Sequence, residues 1–279
     1  LNFSSKDEEE TVQFILYPSE NASLSDSVHI ALQYPGGPEN AHAIRVISYD
    51  HIPKITWFPP AAARLSKVET GMSARRIGYL PGAGDLLPQA LREIGLQVDI
   101  LAERDVLSGR LSQYDAIVTG VRLYNVNTRM RYMQPQLFKY VENGGTLVIQ
   151  YNTTGGLAMQ DIGPYPFTLT RSRVTDETAP VTILDPESRV LNFPNKITAA
   201  DFEGWTQERG LYFVGQADSH YQRPLRMADP GEPASDGSLL VSPYGKGNFV
   251  YTSLSFFRQL PVGVPGAYRL FVNLLAKRN

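Results

Sequence analysis

Residues 75–101 read RRIGYLPGAGDLLPQALREIGLQVDIL, and their rhythm decides the fold class. Positions 75–80 form a short apolar run of strand character. Positions 81–85 are a Gly-rich turn. Positions 85–95 carry helical spacing, with Leu87, Ala90, Leu91 and Ile94 apolar. Asp85 stands as N-cap and Gly95 as terminator. A second strand follows at 96–101. The unit then repeats: YDAIVTG (114–120) reads as a strand, YMQPQLFKYVENGG (132–145) as an amphipathic helix, and TLVIQY (146–151) as a fourth strand. Strands alternating with helices at this spacing predict a doubly wound, mostly parallel α/β sheet.

Outside this block the pattern changes. TVQFILYP (11–18), DSVHIALQYP (26–35) and HAIRVISYDHIP (42–53) are β-branched and aromatic runs separated by turn-rich pieces. They predict a small all-β domain over residues 1–70, with an α/β domain over 75–279. Positions 58–74 read as a linker between them. Toward the C-terminus, 163–184 has strand character, and 198–214 reads as a short helix then a strand. Positions 237–256 read as a hairpin turning at YGKGN, and 263–278 as a closing helix behind Pro265.

Composition narrows the function classes. With 26 basic and 28 acidic residues the net charge is −2, which leaves no electrostatic footprint for nucleic acid or an anionic membrane. No apolar run is long enough to span a bilayer. There are no cysteines, which removes thiol nucleophiles, disulfides and zinc–thiolate sites together. The chain opens at Leu1 without Met and reads as a fragment of a longer polypeptide. Asn-x-Ser/Thr sequons at Asn2, Asn21 and Asn152 read as chance matches or as glycosylation sites.

Four groups of residues bear on chemistry. At 146–156, TLVIQYNTTGG ends an apolar strand in Tyr151, Asn152 and Thr153. In many α/β enzymes the nucleophile sits on such a strand-to-turn elbow. Here Tyr is a poor nucleophile near neutral pH, Asn is none, and Thr153 has no evident general base. The elbow therefore reads as a polar ligand contact or a plain strand end. At 81–85, Gly82 and Gly84 could let a phosphate approach a helix N-terminus. The full dinucleotide and P-loop patterns are absent, however, and Asp85 sits where the phosphate would be. At 201–210, Asp201, Glu203 and Trp205 put carboxylates beside an indole, as an acid/base or sugar-stacking site would. The alternative there is a capped helix with a Glu208–Arg209 ion pair. At 217–224, Asp218 and His220 share one face of an extended segment, as a dyad or metal pair would. The four histidines show no H-x-x-x-H spacing, so no metal and no cofactor is predicted.

Six long segments together resemble one family. IGYLPGAGDLLPQALREIGLQVDIL (77–101), YDAIVTGVRLYN (114–125), YVENGGTLVIQYNT (140–153), GPYPFTLTRSRVTDE (163–177), PNKITAADFEGWTQERGLYF (194–213) and YGKGNFVYTSLSFFRQLPVGVPGAYRLFVNLLA (244–276) resemble the C-terminal region of large bacterial PIG-L/LmbE-type deacetylases. The resemblance covers residues 42–278. It implies a flavodoxin-like, class I glutamine amidotransferase-like domain behind a small β-domain, within a polypeptide whose separate zinc domain deacetylates N-acetylglucosamine-type sugars. The zinc motif H-P-D-D and the glutaminase Cys are both missing here, so no catalytic residue carries over. The implied role is a non-catalytic accessory module. Its partners would be the catalytic deacetylase domain of the same polypeptide and a glycan, in a periplasmic or secreted setting. The site residues expected from this reading are Tyr151, Asn152, Thr153, Asp201, Glu203, Trp205, Asp218 and His220. An unrecognised hydrolase using Asp201, Glu203 or Asp218–His220 is the alternative, and a purely structural or dimerising scaffold is a third.

Overall fold

The chain divides into two compact units, residues 1–67 and 68–279. A computed structural model describes residues 5, 6, 8–17 and 25–278. The sequons at Asn2 and Asn21 lie outside the described residues.

In the first unit the regular elements among the described residues are strands in two-stranded antiparallel ladders. Ser25–His29 pairs with Ala62–Ser66, Ala31–Tyr34 with Gly37–Asn40, and Arg45–Ile47 with Ile55–Trp57. None of its described residues is buried. Two expectations are corrected here. Residues 11–17 form no ladder despite their apolar, β-branched character, because a strand exists only with a partner. Conversely, Ala62–Ser66 is a strand inside the expected linker, its partner supplied from some forty positions upstream. Local pattern cannot register a pairing of that range.

The second unit is a mixed α/β structure built on one six-stranded sheet. Its strands are β1 (Arg76–Leu80), β2 (Gln97–Ile100), β3 (Ala116–Thr119), β4 (Thr146–Gln150), β5 (Leu239–Tyr244) and β6 (Gly247–Thr252), in spatial order β5-β6-β4-β3-β1-β2. All neighbours run parallel except the hairpin pair β5–β6. The helices are α1 (Leu87–Glu93), α2 (Glu103–Leu107), α3 (Leu123–Val126), α4 (Met130–Glu142), α5 (Phe256–Gln259) and α6 (Pro265–Leu274). Burial on both faces explains the apolar runs of β3 and β4, as in parallel sheets generally. Alternation along each strand divides the core. Ile77, Val118 and Val148 face α1 and α6 with Leu91, Leu270 and Phe271. Ile117, Leu147 and Ile149 face α4 with Met133, Leu137 and Val141.

Beyond β4 the chain makes three further short ladders: Phe167–Leu169 with Val214–Ala217, Arg173–Val174 with Gly210–Leu211, and Val181–Ile183 with Leu225–Met227. The expected helix near 198 is a 3-10 turn at Ala199–Phe202. Helices α2 and α3 were not anticipated; both are a turn or so long, too short to show a hydrophobic period.

Candidate functional site

β4 delivers the elbow to the C-terminal edge of the sheet, where doubly wound folds place ligands. Asn152 is fully buried there. Its Oδ1 accepts the Tyr124 amide at 2.9 Å and its Nδ2 donates to the Gln150 carbonyl at 3.0 Å. Its own amide donates to the Tyr251 hydroxyl at 3.0 Å. Asn152 is thus the polar pin between β4, β6 and α3, with no free group for a ligand. The same burial removes its amide from the sequon's chemistry. Thr153 is held by Asn125, whose Oδ1 accepts the Thr153 amide at 2.9 Å and whose Nδ2 donates to the Thr153 carbonyl at 3.1 Å. The Thr153 hydroxyl donates to the Gly155 carbonyl at 3.0 Å, so it shapes the turn.

The Gly-rich turn after β1 serves packing. A Cβ on Gly82 would lie 2.2 Å from the Val121 carbonyl oxygen, and one on Gly120 would lie 2.5 Å from the Gly82 nitrogen. The two strand exits therefore touch backbone to backbone. Asp85 accepts the Leu87 amide at 3.0 Å and the Val121 amide at 3.1 Å. A carboxylate already fills the position that a phosphate would take.

Beside the elbow lies a cleft of about 620 Å³. The loop leaving the elbow contributes Thr154, Leu157 and Asp161; the ladder opposite contributes Phe167, Gln216 and Asp218. Its lining mixes apolar side chains such as Leu157, Phe167 and Leu169 with polar ones such as Thr154, Gln216 and Asp218, and no Lys or Arg side chain lines it. A second cavity, of about 410 Å³, opens beside Tyr114 and Gly144, at the opposite edge of the sheet. Of the expected site residues, Asp218 and His220 do come together. Asp218 Oδ1 meets His220 Nδ1 at 2.5 Å and accepts the His220 amide at 2.9 Å. These contacts hold the Asp218 carboxyl below its usual range. The His220 ring lies flat on Tyr165, centroids 4.1 Å apart. Among the described residues, no three His, Cys, Asp or Glu side chains gather as a metal-binding group.

The Asp201–Trp205 group is corrected. Phe202 and Trp205 belong to the core on the α1/α6 face, and Trp205 is only 3% exposed. Its indole packs against Phe202 and Phe256 and donates to the Asp201 carbonyl at 3.1 Å. It presents no ring face to a sugar. Asp201 caps the 3-10 turn through the Thr198 amide at 2.8 Å and pairs with Arg269 at 2.7 Å. Glu203 is exposed beyond that turn. The expected Glu208–Arg209 pair does not form. Arg209 is buried and donates to the carbonyls of Ala179 and Phe202, whereas Glu208 pairs with Arg258 at 2.7 Å.

Sequence patterning missed a second group around Tyr151. Its ring lies 5.3 Å from that of Phe257, and parallel to that of Tyr212 at 6.3 Å between centroids. Arg122 donates its amide to the Tyr151 carbonyl at 2.8 Å. Arg122, Gln207 and Tyr212 have φ of 59°, 67° and 57°, the non-glycine residues with positive φ among those described. Nothing in Arg or Tyr as residue types signals that conformation, which favours Gly and Asn.

No protein-family model matches the chain, and no curated protein matches it. Solved structures do resemble it. A cytoplasmic protein from Salmonella typhimurium aligns over 92% of this chain and 97% of its own, at 16% identity and a TM-score of 0.47. A cold-adapted β-galactosidase from Rahnella sp. R3 aligns over 74% of this chain, at 13% identity and a TM-score of 0.44, and the match spans only 31% of that enzyme. A ThuA-like protein from Bacteroides uniformis aligns over 75% of this chain and 92% of its own, at 13% identity and a TM-score of 0.41. At these identities and TM-scores none of them transfers a residue role or an activity.

Proposed function

We propose that this chain is a non-catalytic, glycan-binding accessory module of a PIG-L/LmbE-type deacetylase polypeptide, on a flavodoxin-like, glutamine amidotransferase-like scaffold behind a small β-domain. The observation that supports it best is the cleft between the elbow loop and the Phe167–Leu169 ladder. The apolar side chains of Leu157, Phe167 and Leu169 in its lining suit the C–H face of a sugar ring, and Thr154, Gln216 and Asp218 offer hydrogen-bonding groups. The elbow disfavours covalent chemistry, because Asn152 is buried and fully bonded where a nucleophile would stand.

Calorimetry with N-acetylglucosamine oligomers tests this reading. Binding should occur and should weaken about tenfold in Asp218→Asn, the loss of roughly one good hydrogen bond. Absence of heat, together with no crosslink to a deacetylase domain on the same polypeptide, overturns it. The Asp218–His220 contact favours a second reading, an acid/base hydrolase. Turnover of those oligomers that disappears in His220→Ala would replace the binding role with that one.

A further inference from the structure

The group around Tyr151 is over-determined, and that is what makes its strained backbone informative. Tyr212 is held from both sides, with the Leu211 amide on the Ser253 carbonyl at 3.0 Å and the Phe213 amide on the Ser172 carbonyl at 2.9 Å. Its own carbonyl accepts the Ser253 hydroxyl at 3.0 Å. Gln207 sits in a γ-turn, closed by the Glu208 amide on the Thr206 carbonyl at 2.8 Å. The buried Gln259 side chain clamps Thr206 at both its amide and its carbonyl. This arrangement brings Glu208 to Arg258, whose guanidinium lies over Phe257. Residues held in sparsely populated conformations by such networks cluster where a ligand is bound.

Charge and donors define the ligand. Glu208 and Arg258 neutralise one another. Arg122 is exposed, and among the described residues its guanidinium has no ion-pair or hydrogen-bond partner. The same holds for the hydroxyls of Tyr151 and Tyr212. Burial pushes the Tyr151 phenol up while the nearby Arg122 charge pulls it down, with a net rise, so the phenol remains an O–H donor near neutral pH. One unpaired guanidinium and two unengaged phenols thus stand at the sheet's C-terminal edge, where the Tyr151 ring is buried and the Tyr212 and Phe257 rings are half-buried. We propose that Arg122, Tyr151 and Tyr212 form a subsite for the carboxylate of an acidic sugar, the guanidinium fork holding the two oxygens, the two phenols donating to it and the half-buried Tyr212 ring lying beside the sugar. This rests on the reading of the chain as a glycan-binding module and adds an acidic residue to the glycan. It is separate from the cleft, whose lining carries no cation.

The test is calorimetry at low salt with methyl β-D-glucuronide and its neutral counterpart methyl β-D-glucoside, run beside an N-acetylglucosamine oligomer. The glucuronide should bind about tenfold tighter than the glucoside. Arg122→Gln should abolish that difference, and Asp218→Asn should not. Arg122→Gly should also abolish it while raising the melting temperature, because glycine relieves the left-handed backbone. Equal affinities for the two glycosides, or a glucuronide preference that survives Arg122→Gln, overturn the subsite. If the oligomer binds and the glycosides are equal, only this subsite fails. If the glucuronide binds through Arg122 and the oligomer does not bind, the cleft reading fails and the subsite stands. If nothing binds, both fall.

Discussion

Asn152 and Tyr124 are joined at the point where β4 ends: the Asn152 Oδ1 accepts the Tyr124 amide at 2.9 Å, with the asparagine side chain wholly buried. The bond fastens α3 to the elbow, and the amide nitrogen of the same side chain holds the Gln150 carbonyl at 3.0 Å. A position at which an α/β enzyme could carry a nucleophile is here a structural pin.

Asn152→Ala should therefore destabilise the protein. It leaves one buried N–H and one buried C=O without a partner, at about 1–3 kcal/mol for each group. Urea unfolding measures the loss. A midpoint unchanged from wild type would mean that α3 is held by other contacts and that the elbow is free to accept new chemistry.

The contact between strand exits makes a paired prediction about glycine. Gly82→Ala places a methyl 2.2 Å from the Val121 carbonyl oxygen, with the Gly120 backbone also close. Backbone on both sides leaves no room to adjust, so the loss should fall at the top of the roughly 1–3 kcal/mol range for overpacking. Gly95→Ala meets nothing within 4 Å and is strained only by its φ of 89°, so its loss should be about 1–2 kcal/mol. Thermal melts of the two variants decide the order. If Gly95→Ala melted lower, positive φ and not close approach would dominate.

The contrast between these glycines also shows what could be read in advance. Gly95 ends a helix, and a terminator after apolar helical spacing is a local signal. The strands of the parallel sheet were legible for a similar reason: Ile117, Val118, Leu147 and Val148 are apolar because both sheet faces are covered. Long-range decisions were not legible. Trp205 beside Asp201 looks alike whether the indole faces a sugar or Phe256, and only the packing of α5 settles which. Arg209 had an acidic neighbour in the chain, yet the fold buries it against backbone carbonyls and gives Glu208 to Arg258. The left-handed Arg122 and Tyr212 are bonded to Tyr151 and to Ser253, partners roughly thirty to forty residues away.

Trp205 offers a direct check on its corrected role. Trp205→Ala removes an indole that packs on Phe202 and Phe256 in the core, and the loss should be about 3–5 kcal/mol. Where the protein remains folded, glycan affinity per folded molecule should match wild type. Selective loss of affinity with stability intact would return Trp205 to the binding surface.

Asp115 supplies a prediction about acid stability. Its Oδ2 accepts the amides of Arg75 and Arg76 at 2.8 and 3.0 Å, and its Oδ1 meets the Lys277 ammonium at 2.8 Å. Burial pushes its carboxyl up, but Lys277 and the two amides outweigh that, and the net shift is downward. The sign follows from linkage. A carboxyl depressed in the folded state contributes stability that is complete above its unfolded value of about 3.9, and that contribution is lost as pH falls through the lower folded value. Asp115→Asn keeps the shape and an acceptor for the amides but removes the charge. The wild-type advantage in urea midpoint over Asp115→Asn should be constant at neutral pH and shrink once pH drops below about 4. Other depressed carboxyls, such as Asp218 and Asp229, are common to both proteins and cancel in the difference. An advantage that persisted undiminished into strong acid would show that Asp115 acts through shape and hydrogen bonding, with its pairing to Lys277 contributing nothing.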